Sequence, residues 1–151
     1  MLPYDIHAAA TPQLAGLNEV PNQLYYFATP GIFRPRSGLF SSARFAEFSR
    51  FYASAFGELV EAAARQWPDG LRVFYPSSVA VAERPPGMTE YAMAKAAGEV
   101  LCADLDAQSK TLRVMCPRLP RLPTDQTATL MPVRAADPLQ TLLPLLREMA
   151  A

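Results

Sequence analysis

The sequence predicts a single α/β domain over residues 1–151, a parallel sheet with helices on both faces. Three observations predict it. Short apolar or β-rich runs alternate with helical patterns along the chain, and the connections between them are short enough to favour parallel crossovers. Half of the residues are hydrophobic. A chain of this length buries about two-thirds of its unfolded surface, enough for one core.

The first run, LPYDI (2–6), reads as a short strand. TPQLAGL (11–17) opens as a helix, with Thr11 as N-cap and Pro12 in the first turn. NQLYYFAT (22–29) is a strand. The segment 41–67 is the strongest helix, because its apolar positions 45, 48, 51, 52, 55, 56, 59, 60 and 63 keep the three-and-four spacing. WPDG (67–70) ends it. LRVFYPSS (71–78) has the character of a fully buried strand, GMTEYAMAKAAGEVLCADLDAQ (87–108) that of a second long helix, and TLRVMCP (111–117) that of another strand. The segment 137–150 closes the chain as a helix capped by Asp137, with Pro138 in its first turn and a kink expected at Pro144. Prolines gather in FRPRSG, ERPPGM and CPRLPRLPTD, where flanking apolar segments mark them as connections.

Composition excludes several functions. The formal net charge is zero, which gives no electrostatic reason to expect nucleic acid or an anionic membrane as partner. No apolar run approaches the roughly 18 residues of a membrane span, and the first residues lack the basic start and apolar core of a signal peptide. A soluble, cytoplasmic protein is therefore expected. Cys102 and Cys116 are too few for a disulfide framework or a zinc site, and His7, the one histidine, forms no metal cluster by itself; no metal is expected. Arg34 and Arg36 read as solvated loop residues rather than a phosphate site.

Parallel sheets bind ligands beyond the carboxyl ends of their strands. Ser77 and Ser78 end one predicted strand, and Thr29, Pro30 and Gly31 end another, so the site is expected there. Tyr91 and Lys95 lie four apart on the following helix and share a face. An ammonium near a phenol favours the phenolate and lowers its pKa. A tyrosine so placed passes a proton to or from a substrate oxygen while a hydride moves at the adjoining carbon, and a serine hydroxyl holds that oxygen. Ser78, thirteen residues before Tyr91, is the candidate. Tyr-x-x-x-Lys alone is weak, and its bland reading is a sideways-packed tyrosine and a solvated lysine. Requiring the serine at that spacing lowers chance occurrence to roughly 0.004 per chain of this composition.

The segment VFYPSSVAV…TEYAMAKAAGE resembles the active-site strand, loop and helix of the short-chain dehydrogenase/reductases, including the related sugar-nucleotide epimerases. The resemblance implies a Rossmann-like fold. It also implies Ser78 as the residue orienting the substrate oxygen, Tyr91 as general acid/base, and Lys95 as the group that binds the nicotinamide ribose and lowers the tyrosine's pKa. YDIHAAATPQLAGL is similar to the strand whose aspartate, here Asp5, lies near the cofactor adenine. LYYFATPGI is similar to the turn lining the cofactor, with Ala28, Thr29 and Gly31, and LRVMCPRLPRLPTDQT is similar to the strand and loop over the nicotinamide. NAD or NADP is the implied cofactor, and a small carbonyl or secondary alcohol the implied substrate.

The sequence departs from that pattern at identifiable places. No two of the seven glycines approach G-x-G-x-x-G spacing, so the nucleotide-binding strand, turn and helix have no counterpart, and the chain is expected to be truncated relative to the family. RFYAS (50–54) lacks the family's fourth-helix asparagine, and the usual Pro-Gly step reads Pro120-Arg121. Two readings of function stay open. One is an NAD(P)-dependent oxidoreductase working through Ser78, Tyr91 and Lys95. The other is a non-catalytic module of the same fold serving assembly. Phe45, Phe48, Phe51, Tyr52 and Phe56 offer more aromatic surface than one core face uses, which points to a homodimer through helices 41–67 and 87–108.

Overall fold

The computed structural model describes residues 4–17, 19–33, 38–123 and 135–151. Arg34, Arg36, the start of the 2–6 segment and most of the 120–134 loop lie outside the described residues. In chain order the elements are α1 (Ala10–Leu14), β1 (Gln23–Tyr25), α2 (Ser42–Ser49), a π-helical segment (Arg50–Ser54), α3 (Ala55–Gln66), β2 (Leu71–Phe74), β3 (Ser77–Ser78), α4 (Ala80–Glu83), α5 (Thr89–Gln108), β4 (Leu112–Met115), β5 (Arg118–Leu119) and α6 (Pro138–Ala150). Strands β1, β2 and β4 form a parallel sheet in the order β1-β2-β4, with Leu24 opposite Val73 and Val73 opposite Val114. A second parallel pair, β3 with β5, continues the same two chain segments beyond Pro76 and Pro117.

Alternation along β2 sorts the side chains. Leu71, Val73 and Tyr75 join the main core with Phe56, Val60 and Ala94 of the long helices. Arg72 points the other way, where its guanidinium and the Gln23 amide both donate to the Met149 carbonyl near the end of α6. Helices therefore cover both faces, as expected from the sequence.

Several elements differ from expectation. Residues 4–6 form no strand: the Asp5 carboxylate accepts from the His7 amide, the Asp5 carbonyl accepts from the Ala8 amide, and the Gln13 side chain bonds both the amide and the carbonyl of Asp5. With its backbone groups turned inward on a local loop, the segment offers no ladder. Helix α1 starts one residue before Thr11, with Ala9 at the N-cap and no side-chain cap. The 71–78 strand is split at Tyr75 and Pro76, because proline supplies no amide to the ladder. Strand β1 is only three residues long, although the Tyr26 amide still donates to the Phe74 carbonyl. Asp137 caps α6 through the Gln140 amide as expected, and Pro144 lies inside that helix without ending it.

The predicted helix 41–67 runs its full length, capped by Ser41, but a π-helical turn interrupts it at the RFYAS stretch. Two tyrosine hydroxyls explain the turn. Tyr26 donates to the Phe51 carbonyl at 2.6 Å, and Tyr75 donates to the Tyr52 carbonyl at 2.8 Å. Carbonyls claimed from outside are released from the α-helical ladder, and the helix widens by one residue. The aromatic excess noted in the sequence is largely absorbed here. Phe48, Tyr52 and Phe56 are fully buried within the chain, and Phe45 and Phe51 pack partly buried against the same core.

Gly98 of α5 makes this crossing possible. A Cβ at that position would collide with the Tyr75 hydroxyl and lie 2.6 Å from the Tyr52 carbonyl oxygen. Gly98→Ala is therefore expected to cost about 1–3 kcal/mol, the usual range for forced overpacking. Urea unfolding followed by the fluorescence of Trp67, the single tryptophan, measures it. An unchanged midpoint would mean that α5 can withdraw freely from the π turn.

Candidate functional site

A cavity of about 670 Å³ opens beyond the carboxyl ends of β1 and β2. Its wall brings together Ala28 and Thr29, Ser77 and Ser78, and Tyr91 and Lys95 from three separate segments, joined by Met88, Tyr52 and Arg121. Asp5 and Gly31 do not line it; Asp5 is exposed and occupied in the N-terminal loop, while Ile32 and Phe33 beside Gly31 do face the cavity.

Ser78 and Tyr91 meet. A side-chain hydrogen bond from Ser78 lowers the Tyr91 pKa, but burial outweighs it, and the phenol is held above its ordinary value. The rings of Phe48 and Tyr52 stand edge-on to Tyr91 at 5.8 and 5.5 Å and supply that burial. The Ser78 hydroxyl also accepts from the Ala80 amide, fixing its position at the entry to α4.

Lys95 departs from the sequence expectation. Its Nζ donates to the Pro76 carbonyl at 2.6 Å and lies 4.0 Å from the Tyr52 ring centroid and 4.7 Å from that of Tyr75. The ammonium is thus turned to the strand break and two aromatic faces, and it does not contribute to the Tyr91 shift. Tyr91 is raised where the i,i+4 spacing predicted a lowered phenol. The physical reason is the length of the lysine stem. A shared helix face brings the two Cβ atoms together, yet four methylenes let the nitrogen reach a better acceptor. Burial lowers the Lys95 pKa to about 7, with Cys116, Cys102 and Glu99 pulling it partly back.

A second network braces the site from behind. Glu99, one turn beyond Lys95, accepts from Ser77 Oγ at 2.5 Å and from Arg118 Nε and Nη2 at 2.8 and 2.7 Å. It joins α5 to both strands of the β3–β5 pair, and its carboxyl pKa is lowered, first by the Arg118 hydrogen bond. The sequence placed Ser77 at the expected site but left the roles of Glu99, Tyr52 and Tyr75 unmarked. Only Glu99 left a signal, its i+4 offset from Lys95. Tyr52 was noted only as an aromatic, at the stretch where an asparagine was looked for. Its hydroxyl lies 2.5 Å from the Thr29 hydroxyl, tying the π turn to the end of the first strand. Arg121, in the altered Pro-Gly step, sets its guanidinium 5.4 Å from the Phe33 ring centroid on the cavity wall. Among the described residues no group of three or more His, Cys, Asp or Glu is placed to hold a metal ion, and no helix is long and apolar enough to cross a membrane.

No protein-family model matches the sequence, and no curated protein matches it. Solved structures do match in fold. The alternative dihydrofolate reductase 1 (FolM) of Brucella suis, in complex with NADP, aligns with a TM-score of 0.67 at 16% identity, over 81% of this chain and 52% of its own. A gluconate 5-dehydrogenase of Burkholderia cenocepacia J2315, in complex with NADP and tartrate, aligns at 0.67 and 18% identity, over 82% and 51%. A short-chain dehydrogenase/reductase of Burkholderia phymatum, in complex with NAD, aligns at 0.59 and 20% identity, over 97% and 58%. The chain therefore has the Rossmann-like architecture of these proteins and spans about half of their length.

The depressed Lys95 pKa gives a signed prediction. Between about 7 and the ordinary 10.5, the unfolded chain holds a proton that the folded chain does not. Raising the pH through that window therefore favours the folded state. The stability of the wild type relative to Lys95→Met is expected to be level below about pH 7 and to rise from there toward pH 10.5. Urea titrations of both proteins at stepped pH check it; a level difference across the window would place Lys95 near its ordinary pKa.

Proposed function

We propose that this chain is the substrate-side half of an NAD(P)-dependent oxidoreductase of the short-chain type, acting on a carbonyl or secondary alcohol. The observation that carries the reading is the Ser78–Tyr91 hydroxyl pair, brought together in the wall of a cavity at the carboxyl ends of parallel strands. A volume of about 670 Å³ suits a small molecule and part of a cofactor. The solved structures of this fold that carry NADP or NAD support the same class of ligand.

The residues fit one end of a nicotinamide dinucleotide. Thr29 and the backbone around Ala28 would flank the nicotinamide ribose, with Lys95 beneath it, and the 119–122 segment would cover the ring. For the pyrophosphate there is no fit, since the sequence has no glycine-rich turn of the required spacing. Bound nicotinamide supplies or accepts the hydride. The chain's own part is proton handling and orientation. Tyr91, kept protonated by its burial, donates to the substrate oxygen as negative charge develops there. Ser78 donates a hydrogen bond to the same oxygen and holds it against Tyr91. In the alcohol-oxidising direction the proton returns to Tyr91.

One observation favours a second reading, a non-catalytic module of this fold serving assembly, with a second copy meeting helices 41–67 and 87–108. Lys95 is committed to Pro76, Tyr52 and Tyr75 rather than to Tyr91. The outward residues Met93 and Val100 of α5 would be its contact surface.

Calorimetric titration of the folded chain with NADH and NADPH separates the readings. Binding that weakens in Lys95→Ala is expected, followed by carbonyl reduction that falls roughly 100-fold or more in Tyr91→Phe. A folded chain that binds neither nucleotide and sediments as a dimer would give the second reading the stronger claim.

A further inference from the structure

Further along the same face of α5 as Lys95, a second cavity of about 280 Å³ is lined by Glu99, Cys102, Ala103, Asp106, Val114, Cys116 and Arg118. Both cysteines of the chain face it. Cys102 lies two turns beyond Lys95 on α5 and is 2% exposed, whereas Cys116, just past β4, is partly exposed. Their side chains are near enough to shift each other's titration in opposite directions. The backbone on either side of Cys116 is pinned, with Met115 accepting from the Tyr75 amide at 2.9 Å and Pro117 from the Ser77 amide at 2.8 Å. Cys102 sits in a helix packed against β4. Two thiols on the wall of one cavity, each on a fixed element, are arranged for chemistry that neither reading of function uses.

We infer that Cys102 and Cys116 form a dithiol that hydrogen peroxide closes to a disulfide, locking α5 to the end of β4. Cys116 is the attacking sulfur and Cys102 the resolving one. The hydrogen bond from Cys102 lowers the Cys116 pKa, with Lys95 and Arg118 adding to it against burial and Glu99, while the Cys102 pKa is raised and that thiol keeps its proton. The Cys116 thiolate attacks one peroxide oxygen, the O–O bond breaks, and the departing oxygen leaves as water after taking up a proton. Cys116 is then a sulfenic acid. The Cys102 sulfur displaces its hydroxyl, forming the S–S bond, and the hydroxide leaves with the Cys102 proton as a second water. Two thiols lose two electrons and two protons in total, and one hydrogen peroxide is reduced. This inference is independent of whether the chain turns over a carbonyl.

Tryptic mapping of the full chain provides the test, because residues 96–110 and 114–118 fall in separate peptides carrying one cysteine each. The chain is exposed to hydrogen peroxide, free thiols are capped with N-ethylmaleimide, and the digest is read without reduction. The expected result is the 96–110/114–118 disulfide-linked pair, two hydrogen masses below the sum of its peptides, in a chain that runs as a monomer without reductant. Before oxidation, Cys116 is expected to be capped about ten times faster than Cys102. The pair should vanish in Cys116→Ser, but the wild-type map decides even if that variant fails to fold. Recovery of both peptides capped, of Cys116 as a sulfinic acid beside a capped Cys102, or of links between chains would overturn the inference.

Discussion

A buried ammonium sits at the centre of this molecule, and much of the surrounding structure follows from accommodating it. Lys95 is 6% exposed, so its charge must be met from within. Withdrawing an ammonium from water costs several kcal/mol even after relaxation. One charge-assisted hydrogen bond, to the Pro76 carbonyl, returns about 1.5–3 kcal/mol, and each aromatic face about 0.5–2. Burial nevertheless prevails, and the group titrates near neutrality. The acceptors themselves are demanding. The Pro76 carbonyl points inward because the strand breaks there. The Tyr75 ring is held by its hydroxyl on the Tyr52 carbonyl, and that carbonyl is available only because the helix passes through a π turn. Gly98 leaves the gap in which the two meet. The π turn, the strand break and the helical glycine thus belong to one arrangement.

The sequence made the periodic parts of this fold legible. The helices over 41–67 and 87–108 follow directly from their spacing, the parallel sheet from the alternation of runs, and the site from the strand ends that carry Thr29 and Ser78. What it did not convey depends on partners far away in the chain. The π turn at RFYAS arises from hydroxyls on Tyr26 and Tyr75, and no local pattern in a helix announces donors arriving from two strands. The 2–6 segment has strand-like composition, yet Asp5 and Gln13 hold residues 4–6 in a local loop. At 50–54, where the resembled family carries an asparagine, the residue that matters is Tyr52, through its ring, its carbonyl and its hydroxyl at once.

Lys95 also shows why residue spacing is a weaker guide to electrostatics than to geometry. Tyr91 and Lys95 do share a face of α5, and both line the cavity. The charge nevertheless acts further along that face, where Cys116, Cys102 and Glu99 respond to it. Tyr91 has Ser78 for company and aromatic walls around it, so its proton is held more firmly than in an exposed phenol. Such a tyrosine suits donation to a developing oxyanion better than abstraction from an alcohol, since a raised pKa disfavours the phenolate that abstraction requires. In the proposed oxidoreductase this arrangement would favour carbonyl reduction. A shift of Nζ from the Pro76 carbonyl toward the cavity would be needed to change that balance. Such a shift would give up a charge-assisted hydrogen bond and the close contact with the Tyr52 ring, so a ligand that recruits Lys95 must offer acceptors of equal strength in their place.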